Sequence, residues 1–308
     1  MKQSGVKIQK EGALITADKS RVLIRQLVPG GRDRIKRILK RIAGVSEEDA
    51  HRILEETFTE FGERHHDLRG FFRRRFAEMK TYLPSGWKPS ETVQLLIGAY
   101  FSCEYSLEAA ALFNPSIVPH PDQSGVGQDD LRFIMSLRAT GEGHISSIEF
   151  RTGTISRKGK VALDRTNRLV SAPNVAADPS YDKTEFVTKL EDEGTSLRGT
   201  GEIVRPLPET FKRSQLRASI DRYEKKRKKF SEAEIRSVEN LENMAELNYE
   251  LEFPRSIPLS ERAIFPVSSF ESNGIEDARF VRFADNGSTT YYATYTAYNG
   301  KAIMPLLL

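Results

Sequence analysis

Hydrophobic positions recur with a helical period over the first third of the chain. Residues 21–30, RVLIRQLVPG, predict a short strand that Pro29-Gly30 ends. From Arg32, Ile35, Ile38, Leu39 and Ile42 share one face and Lys36, Arg37, Lys40 and Arg41 the other, a helix that Gly44 stops. Ser46-Glu-Glu-Asp49 supplies an N-cap and an acidic first turn for a second helix, whose apolar face is Ile53, Leu54, Phe58 and Phe61. A third helix runs through Leu68, Phe71, Phe72 and Phe76, ending before Pro84-Ser-Gly. A fourth is expected over roughly 90–111, carrying Val93, Leu95, Leu96, Tyr100, Leu107, Ala110 and Ala111. The pattern predicts a helical region over 1–112.

Near Phe113 the period changes. Phe113-Asn-Pro-Ser-Ile-Val118 is extended, because proline disfavours helix at its own position and at the one before. Strands are predicted over 131–138 and from the Gly141-Glu-Gly-His144 turn to about Gly153. The next hundred residues are mixed. Residues 171–200 predict loop with one short helix, and 209–247 two helices, the second opened by the capping box Ser231-Glu-Ala-Glu234.

Strand pattern resumes at Ala263 and gives a hairpin of two apolar runs, 274–281 and 291–297, about an Asn286-Gly287 turn. The segment 113–148 and the segment from Ile275 onward echo each other as strand, turn, strand, glycine turn, strand. Such a recurring unit is the signature of successive propeller blades. The expected fold is a β-propeller, here incomplete, over 113–308, with an N-terminal helical region and a helical insertion at about 205–250.

Composition narrows the class. Of 308 residues 38% are hydrophobic and 29% charged, which predicts a soluble globular chain. A single cysteine, Cys103, rules out an intrachain disulfide framework and fits a reducing compartment. The first twenty residues lack a signal peptide's apolar core, and no run approaches the roughly 18 apolar residues of a membrane span. A cytoplasmic location is the default. A net charge of +4, set against 47 basic and 43 acidic side chains, does not demand a nucleic-acid partner.

The chemistry concentrates in Gly274-Ile-Glu-Asp-Ala-Arg279, where two adjacent acids and an arginine stand at the mouth of a strand. Carboxylates there are costly unless solvated, paired or used. This stretch, with Tyr291-Tyr-Ala-Thr-Tyr-Thr-Ala297, resembles glycoside hydrolase family 130, the β-mannoside phosphorylases and β-mannosidases. Ala278 departs from the family's usual proline. Asn114-Pro115-Ser116 and Ser136-Leu-Arg138-Ala139 are similar to the family's mannosyl-contacting and arginine-bearing segments, and the N-terminal helices look like those of a longer subgroup. The resemblance covers roughly 105–153 and 261–308 and is weak over 155–260.

The resemblance implies a five-bladed propeller that cleaves β-mannosidic bonds with inversion. Asp277 would be the general acid. Asn114 and Glu276 would orient the sugar, and Arg138 with Arg279 would supply positive charge, with His144 near the channel mouth. Inorganic phosphate would be co-substrate in a phosphorylase, giving mannose 1-phosphate and requiring no second carboxylate and no cofactor or metal. Hydrolysis within the same family is the alternative reading. A homo-oligomer is compatible with either. The apolar terminus 302–308 and the small number of blades lead us to expect the N-terminal part of a longer enzyme.

Other readings compete. Glu-Asp-x-Arg alone can be a surface ion pair at a hairpin entrance. His65 and His66 are adjacent on a helical stretch and point apart, so they do not readily share a metal. His144 can be a plain surface or capping residue. Ser146 and Ser147 have neither a candidate base nor a nucleophile-elbow motif. Arg73-Arg-Arg75 and Lys225-Lys-Arg-Lys-Lys229 are the case for nucleic-acid binding, but acids flank both and no aromatics interleave them. A catalytically inactive sugar-binding fragment is a further class.

Overall fold

The computed structural model describes residues 12–192, 194–195, 197–226 and 229–308, with 197–200 as backbone. It divides into two compact units, one holding the chain up to Ala172 with 255–266 and 273–308, the other 173–254 with 267–272. The helices of the N-terminal third therefore belong to the same unit as the large sheet, and position 112 is not a unit boundary.

The first unit opens with strand β1 (Val22–Gln26) and helices α1 (Arg32–Ala43), α2 (Glu47–Phe61), α3 (Leu68–Met79) and α4 (Glu91–Tyr100). The side chains of Ser46, Asp67 and Ser90 accept hydrogen bonds from the backbone N–H groups of Asp49, Gly70 and Val93, satisfying donors that a helix start leaves open. The expected apolar stripes, including Leu39, Ile42, Leu54 and Phe72, bury into one core. Gly98 lets α4 approach α3 closely, since a Cβ there would lie 2.1 Å from the Phe72 carbonyl oxygen.

The fourth helix is shorter than its apolar pattern predicts. It ends at Tyr100, and residues Ser102–Ser106 form strand β2, antiparallel to β1. A lone β1 would leave a row of backbone donors and acceptors unpaired, and β2 satisfies them. Arg75 braces the corner from within, its Nε donating to the Phe101 carbonyl at 2.9 Å and its Nη2 to that of Leu27 at 2.9 Å. The chain then forms an antiparallel meander of β3 (Ala111–Pro119), β4 (Leu131–Thr140), β5 (Ser146–Ile155) and β6 (Val161–Leu163).

The second unit contains β7 (Asn174–Val175), β8 (Ser180–Asp182), α5 (Lys183–Asp192), α6 (Leu197–Val204), β9 (Thr210–Lys212), α7 (Arg213–Lys225), α8 (Glu232–Leu247) and β10 (Leu251–Glu252). Its helices close over Phe186, Leu190, Phe211, Leu216 and Leu241. The two helices expected over 209–247 are present, and Ser231 and Glu234 cap α8 reciprocally as predicted. The unit is larger than the expected insertion at 205–250 because α5, α6 and two short ladders, β7–β10 and β8–β9, pack with that pair.

Back in the first unit come β11 (Ala263–Ile264), β12 (Gly274–Asp285), β13 (Ser288–Tyr298) and β14 (Ile303–Leu307). Asn286 and Gly287 both take positive φ, 46° and 78°, as the tight hairpin turn between β12 and β13 requires. The large sheet runs β14-β13-β12-β5-β4-β3, with β6 and β11 also paired to β5. It comprises two antiparallel meanders whose hydrogen-bonded ladder joins in parallel at one residue pair, Gly274 with Ser146. The fold is mixed α and β, and the first unit holds this large sheet.

Behind the sheet lies a buried ionic quartet. Arg21 reaches Glu108 at 2.7 Å and Glu149 at 2.6 Å, while Arg151 reaches the same two carboxylates at 2.5 Å and 3.3 Å. Burial pushes the Glu149 carboxyl up to about 7; the Arg21 guanidinium opposes the rise and the Glu108 charge adds to it. The quartet anchors the residues that lead into β1, since Glu108 also accepts from the Asp18 backbone N–H at 2.8 Å.

Candidate active site

Two β-bulges face each other across the sheet. In β3 the ladder to β4 shifts between Phe113 and Ser116, and in β12 the ladder to β13 shifts between Glu276 and Arg279. Each bulge inserts one extra residue against its partner strand, which re-aims the side chains there. In each, one non-glycine residue takes left-handed backbone geometry, Asn114 with φ 47° and Asp277 with φ 56°. Asn and Asp tolerate this region better than most residues, yet it still costs free energy that the surroundings must supply. The outcome is direct contact, with Asn114 Nδ2 donating a hydrogen bond to Asp277 Oδ1.

Arg138, on β4, completes the cluster. Its Nη2 lies 2.6 Å from Glu276 Oε1 and its Nη1 3.4 Å from Asp277 Oδ1. Its Nε donates to Ser146 Oγ at 3.0 Å. An arginine carries five N–H donors in one plane, so these three contacts leave two for another acceptor. Asp277 is the more open carboxylate, with a side chain 41% exposed against 20% for Glu276. Its bonds to Asn114 and Arg138 both fall on Oδ1, which leaves Oδ2 as the oxygen able to meet a bound molecule.

The structure thus brings Asn114, Arg138, Glu276 and Asp277 together from three strands. Arg279 sits beside them in a different role. Its guanidinium donates to the carbonyl oxygens of Asn114 at 3.3 Å and Pro115 at 2.9 Å, so it pins the β3 bulge and does not pair with the adjacent Asp277. The Phe280 N–H adds a bond to Ser116 Oγ at 2.9 Å, a second tie between β12 and β3.

His144 stands apart. It is exposed, with φ 60°, in the turn between β4 and β5, and no hydrogen bond or ion pair links it to Asp277, Glu276 or Arg138. That turn is held from behind by Tyr105, whose hydroxyl donates toward the carbonyls of Glu142 at 2.7 Å and Ile145 at 3.1 Å. Burial pushes the Tyr105 phenol up to about 12, so it remains a donor. Sequence reasoning considered Ser146 only as a nucleophile; its contact with Arg138 shows it as part of this cluster.

The competing sequence features resolve differently. His65 Nε2 meets Glu104 Oε1 at 2.9 Å and His66 Nε2 meets Glu261 Oε2 at 2.8 Å, so the adjacent imidazoles serve separate carboxylates. Burial lowers the His65 pKa despite its Glu104 partner. Among the described residues no group of three or more His, Cys, Asp and Glu side chains is placed to hold a metal. The arginine run does not form a free basic stripe: Arg73 pairs with Glu91 at 2.7 Å, Arg74 with Asp67 at 3.4 Å, and Arg75 is buried. In the second run, Arg227 and Lys228 lie outside the described residues. Among the described residues no helix is long and apolar enough to cross a membrane. In comparisons with known proteins, the chain matches no family model, no curated protein and no solved structure.

Proposed function

We propose that this chain belongs to an inverting β-mannoside-cleaving enzyme and that it works by phosphorolysis, releasing mannose 1-phosphate. The observation that carries the reading is the placement of Asp277 on a strained bulge, held on one oxygen by Asn114 and Arg138 and open on the other. Cleavage needs a proton donor at the leaving oxygen and a nucleophile on the opposite face of the sugar. Asp277 Oδ2 is the donor in this scheme. Asn114 and the bulge geometry aim it, and Glu276, committed to Arg138 at 2.6 Å, orients the sugar and does not compete as an acid.

In a phosphorylase the attacking group is inorganic phosphate, and no second carboxylate is needed to activate it. Phosphate would approach the face of the sugar away from Asp277, and the two remaining N–H donors of Arg138, on the Asp277 side, suit a sugar hydroxyl. In the same reading, β3–β6 and β12–β14 are two successive blades of a cytoplasmic propeller enzyme, and their contact at Gly274 and Ser146 lies at the active centre. The small oligosaccharide binds over the paired bulges.

The test is product analysis with β-mannobiose and β-mannosyl-glucose, with and without phosphate. Mannose 1-phosphate formed only with phosphate supports the proposal. Phosphate-independent release of mannose would replace it with hydrolysis, and binding without turnover would replace it with a sugar-binding role.

A further inference from the structure

The junction between the two meanders does more than join them. Gly274 has φ +147°, and a Cβ on it would lie 2.8 Å from the Ser146 backbone nitrogen and 2.9 Å from the Ser146 Cβ. Only glycine lets β12 start this close to β5. The close approach buries Ser146 completely and places its hydroxyl between a cation and an anion. Oγ accepts from Arg138 Nε at 3.0 Å and donates toward Glu276 Oε1 at 3.4 Å.

We infer that Ser146 is a positioning residue, whose hydroxyl fixes the guanidinium plane of Arg138 so that Nη2 meets Glu276 while Nη1 meets Asp277. This rests on the reading of Asp277 as the acid. A hydroxyl has one hydrogen and two lone pairs, so it can accept from the arginine and donate to the carboxylate at once. The guanidinium is rigid and planar, and tethering its Nε sets the direction of both Nη groups. Without the tether, Arg138 could swing about its stem and keep Glu276 while losing Asp277, the longer of its two contacts at 3.4 Å.

The next residue provides the control. Ser147 is equally buried, projects to the opposite face of the strand, and its Oγ has no hydrogen-bond partner. Removing that hydroxyl leaves nothing unsatisfied.

The experiment compares the wild-type chain, Ser146→Ala and Ser147→Ala by two measurements. The first is solvent exchange of the Arg138 Nε–H, observed by NMR on arginine-labelled protein and assigned with Arg138→Lys. Exchange should be slow in wild type and Ser147→Ala, and about tenfold or more faster in Ser146→Ala. The second is mannose 1-phosphate formation, where kcat should fall about tenfold or more in Ser146→Ala with KM changed by less than about threefold, and Ser147→Ala should match wild type.

Unchanged Arg138 exchange in Ser146→Ala would overturn the inference, whatever the enzyme does. Faster exchange with an unaltered kcat would also overturn it, since the tether would then have no bearing on the reaction. An inactive wild type would contradict the phosphorolysis reading alone, and the exchange result would still decide whether Ser146 holds Arg138.

Discussion

The bulges in β3 and β12 are one backbone device used twice. Each adds one residue to its ladder and each bends a polar residue into positive φ, 47° at Asn114 and 56° at Asp277. They differ by one functional group. The amide of Asn114 can donate and so holds its counterpart, whereas the carboxyl of Asp277 can accept and can carry a transferable proton. The backbone fixes where the two groups meet, and residue identity then decides which one can carry a transferable proton. Arg279 and Ser116 tie the two bulges together, so neither can relax alone.

The largest effect should come from removing the proton. Asp277→Asn keeps the shape and the left-handed preference but cannot donate an acid proton, and kcat for mannose 1-phosphate formation should fall about 10³-fold, within the range for lost general acid catalysis. Thermal unfolding of the variant should match wild type.

The buried quartet gives a contrasting case, a charge cluster closed off from solvent, in which the expected readout is stability. The folded state holds the Glu149 proton more tightly than the unfolded chain does, with the pKa raised from 4.5 to about 7. Stability should therefore fall as pH rises through that window, by roughly 2–3 kcal/mol. Glu149→Gln should flatten the decline in denaturant titrations between pH 4.5 and 7.

Making the bulges alike sharpens the comparison. Asn114→Asp would set two carboxylates in contact, and like charges that close make them share a proton. We expect the basic limb of the pH–rate profile to move upward, with kcat lowered about tenfold by loss of the aiming hydrogen bond. An unmoved profile would mean that the side chains of 114 and 277 are not coupled.

The smallest change should come from Arg279→Ala. The arginine is exposed and bonds only bulge carbonyls, so its loss should cost about 1 kcal/mol or less in unfolding free energy and under about threefold in kcat. A larger catalytic loss would restore to Arg279 the charge-supplying part that the family resemblance implies.

Much of this was legible before the structure. The hairpin about Asn286-Gly287, the strands after Phe113 and the capped helices followed from period and turn chemistry, because each is decided by neighbours in sequence. The end of α4 was not legible. Apolar residues keep a helical spacing through Phe101 and Leu107, and only the demand of β1 for a partner reveals Ser102–Ser106 as a strand.

The quartet was hidden for a related reason. Glu149 and Arg151 alternate with Ile148 and Phe150, a pattern that reads as a solvated face, whereas the structure buries both faces of the strand over 146–151. Within the site, the acids and Arg138 stood out by composition. The contact of Asn114 with Asp277 spans the two meanders and is set by both bulges together, which no local pattern encodes. The contact of Ser146 with Arg138 depends on the closeness of Gly274, a long-range approach that the sequence around Ser146 does not encode.

The most direct test of the account is mannose 1-phosphate formation from β-mannobiose by the wild-type chain beside Asp277→Asn, each with and without inorganic phosphate. The account predicts product in one case alone, wild type with phosphate. Comparable product from Asp277→Asn, or mannose released without phosphate by the wild type, would contradict it.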